Sequence, residues 1–305
     1  MLKNNSLLNK FLIGLTVFLA VLYVLSFTRS CSTSDSREKI KSALVNQKYQ
    51  DSITSFELSD STGSITLKKH ENFWTVSSTD NPEISLPASD ERLQNFIKNL
   101  ITIRNLYKIS DKINKNSSLG LTTGTEFHLK YSTQDTFHEL IFGNQDFSLS
   151  SRYMMTEKST QVYEIDSSLD TYLTSSIQSW TEPYIISQSV LGQIKAEDIQ
   201  RTRVLNENHL SSITDSQKLL DLRHGGIPTE EDLSVLYQNS QKPDLTIGLE
   251  LGNKNEIELK IYPAESDNEF IVIAEYRKEK SDSAYYTSFS KISSWTYNKI
   301  KENTL

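Results

Sequence analysis

The stretch Ile53–Ser78, ITSFELSDSTGSITLKKHENFWTVSS, decides the fold. It holds three strand-like segments, ITSFEL, SITLKKH and FWTVSS, separated by the turn formers Ser61-Thr62-Gly63 and Glu71-Asn72. In Ile65-Thr66-Leu67 and Trp74-Thr75-Val76 apolar residues alternate with polar ones, the period of a half-buried sheet. Three antiparallel strands joined by short turns are the simplest structure that meets both conditions.

C-terminal to this meander stands Pro87-Ala88-Ser89-Asp90, where Ser89 or Asp90 can cap a helix. Its apolar positions Leu93, Phe96, Ile97, Leu100, Ile101 and Ile103 keep a 3.6-residue spacing, so the helix should lie on the sheet. A polar loop, Asp111–Ser118, leads to Leu119-Gly120-Leu121. Then FHLKY and FHELIFG, joined by Ser132-Thr133-Gln134-Asp135, pair with RYMM and QVYEI around Glu157-Lys158-Ser159 in a second meander. A helix over Asp166–Trp180 is expected to close it, with Leu169, Tyr172, Leu173, Ile177 and Trp180 on one face.

The second half repeats this order. Strand-like Ile199–Leu205 and helical Ser216–Arg223 and Glu230–Tyr237 precede four strands, LTIGLEL, EIELKIYP, EFIVIAEY and AYYTSF, and a helix over Ile292–Ile300. Phe127–Trp180 and Leu245–Trp295 thus share two hairpins and a Trp-bearing helix, a degenerate repeat in pattern.

On the N-terminal side lies Phe11–Phe27, FLIGLTVFLAVLYVLSF, which carries no charge. As a helix it spans ~26 Å at ~1.5 Å per residue, against a hydrocarbon core of ~30 Å, so a single membrane pass is expected. A cleaved secretory signal is the competing reading, but no small-x-small site follows cleanly. Cys31, the sole cysteine, occupies the place of a lipoprotein acylation site, though Thr28-Arg29-Ser30 does not suit one. Basic residues stand on both sides of the run (Lys3 and Lys10; Arg29, Arg37, Lys39 and Lys41), so charge does not choose an orientation. A short N-terminus before one apolar helix acts as a signal-anchor and leaves the bulk of the chain outside the cytoplasm.

The expected organisation is an α+β protein: a cytoplasmic tip and N-terminal transmembrane helix (1–28), a polar stalk (29–50) and two α+β domains (51–182 and 183–305). The domains are tandem antiparallel β-meander units, each packed with helices. Within the stalk, Ser-Arg-Glu-Lys-Ile-Lys-Ser-Ala-Leu-Val can form a short amphipathic helix. The net charge of -7, with both signs mixed throughout, argues against nucleic acid as a partner. Only 10 Gly and 6 Pro in 305 residues exclude loop-dominated and collagen-like architectures.

Phe73-Trp74-Thr75-Val76, Pro87-Ala88-Ser89-Asp90, Leu119-Gly120-Leu121, Ile141-Phe142-Gly143, Arg152-Tyr153 and Val162-Tyr163-Glu164-Ile165, in that order behind an N-terminal anchor, resemble the family known as domain of unknown function 4340. The resemblance covers roughly Ile53–Trp180 and implies a bacterial, membrane-anchored protein associated with ABC-type transporter components of the gliding-motility kind. It therefore implies a non-enzymatic extracytoplasmic accessory subunit beside permease and ATPase subunits, at the cytoplasmic membrane, and it implies no catalytic residue.

The residues add little chemistry. His128 and His138 would stand opposite each other if the hairpin turned near Thr133, but no third zinc ligand is evident. His70, His209 and His224 are dispersed, and neither G-x-S-x-G nor GxxxxGK[ST] occurs, so no catalytic residue, cofactor, metal or nucleotide is assigned. Trp74, Trp180 and Trp295 read as core. Arg223-His224-Gly225-Gly226 is the one unusual stretch: a helix stop on the structural reading, a partner-binding loop with free N–H groups on the functional one. Two rival functions stand beside the accessory subunit: an envelope ligand-binding module for a polymer or lipid, needing an apolar or aromatic cleft, and a cell-envelope hydrolase, needing clustered titratable groups.

Overall fold

The computed structural model describes residues 14–19, 23, 38–112, 118–122, 124–134, 136–156, 158–206, 209–238, 242–266, 268–279, 281 and 283–304. Most of the apolar run, Cys31, and parts of the 111–118 loop and of the 132–135 and 157–159 turns lie outside these. Among the described residues no helix is long and apolar enough to cross a membrane.

The two N-terminal meanders do not form separate sheets. Strands β1 (Lys39–Ser42), β2 (Ile53–Asp60), β3 (Gly63–Lys69), β4 (Trp74–Ser78), β5 (Ser85–Pro87), β6 (Arg104–Ser110), β7 (Phe127–Thr133), β8 (Phe137–Gln145), β9 (Ser151–Thr156) and β10 (Val162–Asp166) make one antiparallel sheet, ordered β1-β6-β10-β9-β8-β7-β2-β3-β4-β5. The weld is β2 on β7, with Phe56 opposite Tyr131 and Leu58 opposite Leu129. Helix α1 (Asp90–Ile101), capped by Ser89, buries Leu93, Phe96, Ile97 and Leu100 in this sheet's core. Fully burying each such side chain contributes about 1.5–3 kcal/mol. The helix stops at Ile101, so Ile103, assigned above to its apolar face, is exposed.

The described part of the expected stalk is folded. Lys39–Ser42 pairs with β6 as a strand, not a helix, and Val45 is fully buried. The long helix expected over Asp166–Trp180 is replaced by a 3-10 turn, Ser167–Tyr172, and a single α-turn, α2 (Ile177–Trp180). Five Ser and two Thr among its residues compete for backbone hydrogen bonds. Asp166 caps the first turn, and the Thr174 hydroxyl accepts from the Ser176 N–H.

The second sheet contains β11 (Ile199–Asn206), β12 (His209–Ser211), β13 (Leu245–Leu251), β14 (Glu256–Pro263), β15 (Glu269–Arg277) and β16 (Tyr286–Ser293), ordered β12-β11-β13-β14-β15-β16. One face carries the core of Ile247, Leu249, Leu259, Val272 and Tyr276, with α3 (Ser216–Leu220) adding Leu219 and Leu220. Helix α4 (Glu230–Gln238) sets Leu233 and Leu236 on the opposite face against Tyr262, Ile271 and Ile273. Helix α5 (Ser294–Glu302) buries Tyr297 and Ile300 but leaves Trp295 66 % exposed. The pattern repeat therefore fails at its tryptophans: Trp180 is fully buried and Trp295 is a surface residue. Trp295 is the second residue of α5, one position before the buried Thr296-Tyr297 pair, and so falls on the outward side of the helix.

The two sheets share a joint. Phe73, in the β3–β4 connection, sits in the second core, 5.1 Å from the Tyr286 ring and 6.1 Å from Tyr285. The Tyr286 hydroxyl donates to the Ser85 carbonyl at 2.9 Å.

Candidate functional site

A cleft of about 720 Å³ opens where the two sheets meet, between the N-terminus of α1 and residues 182–193. Its lining includes Asp90, Glu91, Glu182, Tyr184, Gln188 and Arg223. The segment that forms its wall, a strap over residues 180–188, is fastened by main-chain bonds to the first sheet and, through residues 222–226, to the second. On one side Ser89 N–H donates to the Trp180 carbonyl and Glu182 N–H to the Pro87 carbonyl, both at 2.8 Å. On the other, Ile185 N–H donates to Leu222 and His224 N–H to Pro183, both at 3.0 Å.

This places the expected partner-binding loop. Arg223 and His224 pair with the strap, and Gly225 and Gly226 pair with Lys291 of β16 through N–H donation from Gly225 at 2.8 Å and acceptance by Gly226 at 2.9 Å. The N–H groups of His224 and Gly225 are thus engaged internally and are not free for a carboxylate or phosphate. The glycines are not a helix stop either: α3 ends at Leu220 with Asp221 as its C-cap, and neither glycine has positive φ. Arg223 alone faces the cleft, its guanidinium 5.5 Å from the centre of the Tyr184 ring.

Glu182 is the residue that the sequence reading missed. Its carboxylate, 7 % exposed, accepts from Ser187 Oγ at 2.7 Å, Ser189 Oγ at 3.0 Å and Gln188 N–H at 2.6 Å. A signal was present: Glu182 is the only charged residue between Asp170 and Lys195. Burial, with Asp90 nearby, holds this carboxyl above its ordinary range despite the three donors. His224 Nε2 meets the Glu182 carbonyl at 2.8 Å, and burial pulls the ring below the ordinary imidazole value.

These shifts have opposite signs. The folded chain holds the Glu182 proton more tightly, so this contribution is full at low pH and falls as pH rises above 4.5. The buried neutral His224 contributes fully above 6.5 and loses its contribution as pH falls through its depressed folded value. The gap in urea midpoint between wild type and Glu182→Gln is therefore expected to shrink with rising pH. That between wild type and His224→Gln should shrink with falling pH. Gaps independent of pH would refute both assignments.

The two histidines of the β7–β8 hairpin are not partners. Register pairs His128 with Ile141 and Tyr131 with His138, which puts the rings on opposite faces. His128 Nδ1 meets Glu139 at 2.8 Å, and His138 stacks on Tyr131 at 4.8 Å. Among the described residues no group of three or more His, Cys, Asp or Glu could hold a metal ion.

The motifs Leu119-Gly120-Leu121, Ile141-Phe142-Gly143 and Arg152-Tyr153 do converge. Asn144 N–H donates to the Leu119 carbonyl at 2.8 Å, and an Arg152 guanidinium nitrogen (Nη1) donates to the Gly143 carbonyl at 2.6 Å. Gly120, at φ +66°, lies so close to the Asn144 side chain that a Cβ would stand 2.4 Å from its Oδ1.

Fold and cleft together define an α+β protein of two antiparallel sheets joined across a polar crevice. The profile of a family described as "Domain of unknown function (DUF4340)" matches residues 74–246, more than half of the chain, and the chain belongs to that family. The matched region begins later than the resemblance suggested and runs on into β13, so it spans the joint between the sheets. No curated protein and no solved structure matches the chain.

Proposed function

We propose that the chain is a non-enzymatic accessory subunit of an ABC-type transport system. Its N-terminal segment holds it in the cytoplasmic membrane, with the bulk of the chain on the extracytoplasmic side, as a scaffold or substrate-handling protein. The observation that carries this reading is the state of the cleft's buried carboxylate. Both oxygens of Glu182 receive donors from its own loop, and the two serine hydroxyls beside it point at that carboxylate and not at a histidine. Such a group organises a surface; it does not activate a nucleophile. Family membership supports the same reading through the transporter association that the resemblance implies.

Mild detergent extraction of the full chain is expected to bring permease and ATPase subunits with it, as read by mass spectrometry of the purified complex. A monodisperse, partnerless protein would overturn the proposal. The cleft supports a second reading, an envelope ligand-binding module, and its amide, carboxylate and guanidinium lining suits a hydrated polymer better than a lipid.

A further inference from the structure

The β8–β9 connection, Asp146-Phe147-Ser148-Leu149-Ser150, carries two apolar side chains that the described residues leave largely exposed. Phe147 is 106 % exposed and Leu149 65 % exposed. The loop that bears them is tightly built. Asp146 Oδ1 accepts from the N–H groups of Ser150 and Ser151, both at 3.0 Å, and Oδ2 accepts from Ser148 Oγ at 2.5 Å. Leu149 N–H donates to the Asp146 carbonyl at 3.0 Å, and Ser167 N–H ties Ser150 to the next connection at 3.1 Å.

Leu149 has φ +57°, a left-handed conformation that glycine adopts freely and leucine does not. The strain at Leu149 is not offset by burial of its largely exposed side chain, which points to a contact outside the chain. Ile103, 72 % exposed, stands at the same end of the sheet, next to Arg104, whose guanidinium reaches Asp166.

Charge identifies what would cover this tip. The cations beneath it are turned inward: the Arg104 side chain is 4 % exposed and lies on Asp166, and Arg152 is 19 % exposed and lies on Asp170. The Asp166 side chain is 50 % exposed, and the hydrogen bonds from Ser148 and Ser151 hold Asp146 ionised down to about 2. Both ion pairs are neutral overall, so Asp146 leaves the tip one net negative charge; an apolar plug of that sign is disfavoured at anionic headgroups and fits a protein socket with a basic rim.

We propose that Phe147 and Leu149 form a docking plug for a partner protein that offers an apolar socket rimmed by Lys or Arg. Resting on the accessory-subunit reading, that partner is the extracytoplasmic face of the ABC permease. The test uses the full chain co-expressed with the permease and ATPase of its own cell, comparing Phe147→Ser, Leu149→Gly and, as a distant control, the exposed Tyr237→Ser. Each tip variant is expected to lower permease recovery about tenfold, the loss that follows from leaving one large apolar side chain unburied. Leu149→Gly should do so while leaving the thermal midpoint equal to or above wild type, which a structural role would not allow; Tyr237→Ser should change neither. Full recovery by the tip variants overturns the plug and leaves the accessory reading standing. Failure of the wild type to recover permease overturns both. Tip-dependent binding of wild type to phosphatidylglycerol vesicles, or a tip-dependent homodimer in sedimentation, would replace the partner by a membrane or a second copy and so also overturn it.

Discussion

Gly143→Ala is expected to destabilise the fold by about 3 kcal/mol, the upper range for forcing an atom into a packed site. A Cβ at this position would stand 2.1 Å from the Leu119 carbonyl oxygen and 2.9 Å from Leu121 Cγ. The first neighbour is backbone, so it cannot rotate away. Relief requires the 119–121 segment to move off β8, which breaks the Asn144–Leu119 bond and disturbs the carbonyl that Arg152 holds. Gly63→Ala is the control, because a Cβ there meets nothing within 4 Å and φ is not positive. Urea unfolding of the full chain in detergent should separate the two, with Gly63→Ala within about 0.5 kcal/mol of wild type. Equal midpoints for both variants would show that the motifs do not pack as described.

The second large effect belongs to Trp180. Its ring is fully buried, 5.1 Å edge-on from Phe96, with the Arg92 guanidinium 4.8 Å from its centre and Nε1 donating to the Thr174 carbonyl at 3.1 Å. Its own carbonyl accepts from Ser89 N–H, so the residue ties the cap of α1 to the strap. Trp180→Ala should cost about 3–5 kcal/mol and lower the melting temperature by roughly 10 °C. Trp295→Ala, at a site that the repeat pattern made equivalent, should fall within about 0.5 kcal/mol of wild type. A comparable loss at both positions would contradict the burial assigned to each.

The contrast between these tryptophans shows where sequence reasoning stopped. Apolar spacing found α1 and its buried residues, and alternation found the main strands of both sheets. It missed β1, β5 and β12, which are only three or four residues long, and β6, whose residues carry no clean period. It also placed His128 opposite His138, because register depends on which carbonyl each N–H meets in the turn. The hairpin closes with Thr133 N–H on the Thr136 carbonyl at 2.9 Å, a choice that no spacing rule records.

At the cleft the difference was greater. Arg223 was singled out for glycine-rich surroundings and does reach the crevice, but its neighbours' N–H groups turned out to be engaged by Pro183 and Lys291. Glu182 went unnoticed although it is a lone charge in an uncharged run. What makes it special is the return of residues 187–189 over it, a contact made only by folding.

The sequence by itself determined the class: antiparallel strands with one apolar face, helices laid on them, and a family resemblance confined to short ordered motifs. Those properties are local, since the side-chain period reports which face of a strand or helix is buried. Only the tertiary structure decided that β2 pairs with β7 to fuse two meanders, that the 119–121 and 141–143 motifs touch, and that the 180–188 strap joins two sheets. Strand edges present the same backbone donors and acceptors whatever their side chains, so which edges meet is settled by global packing and not by local pattern.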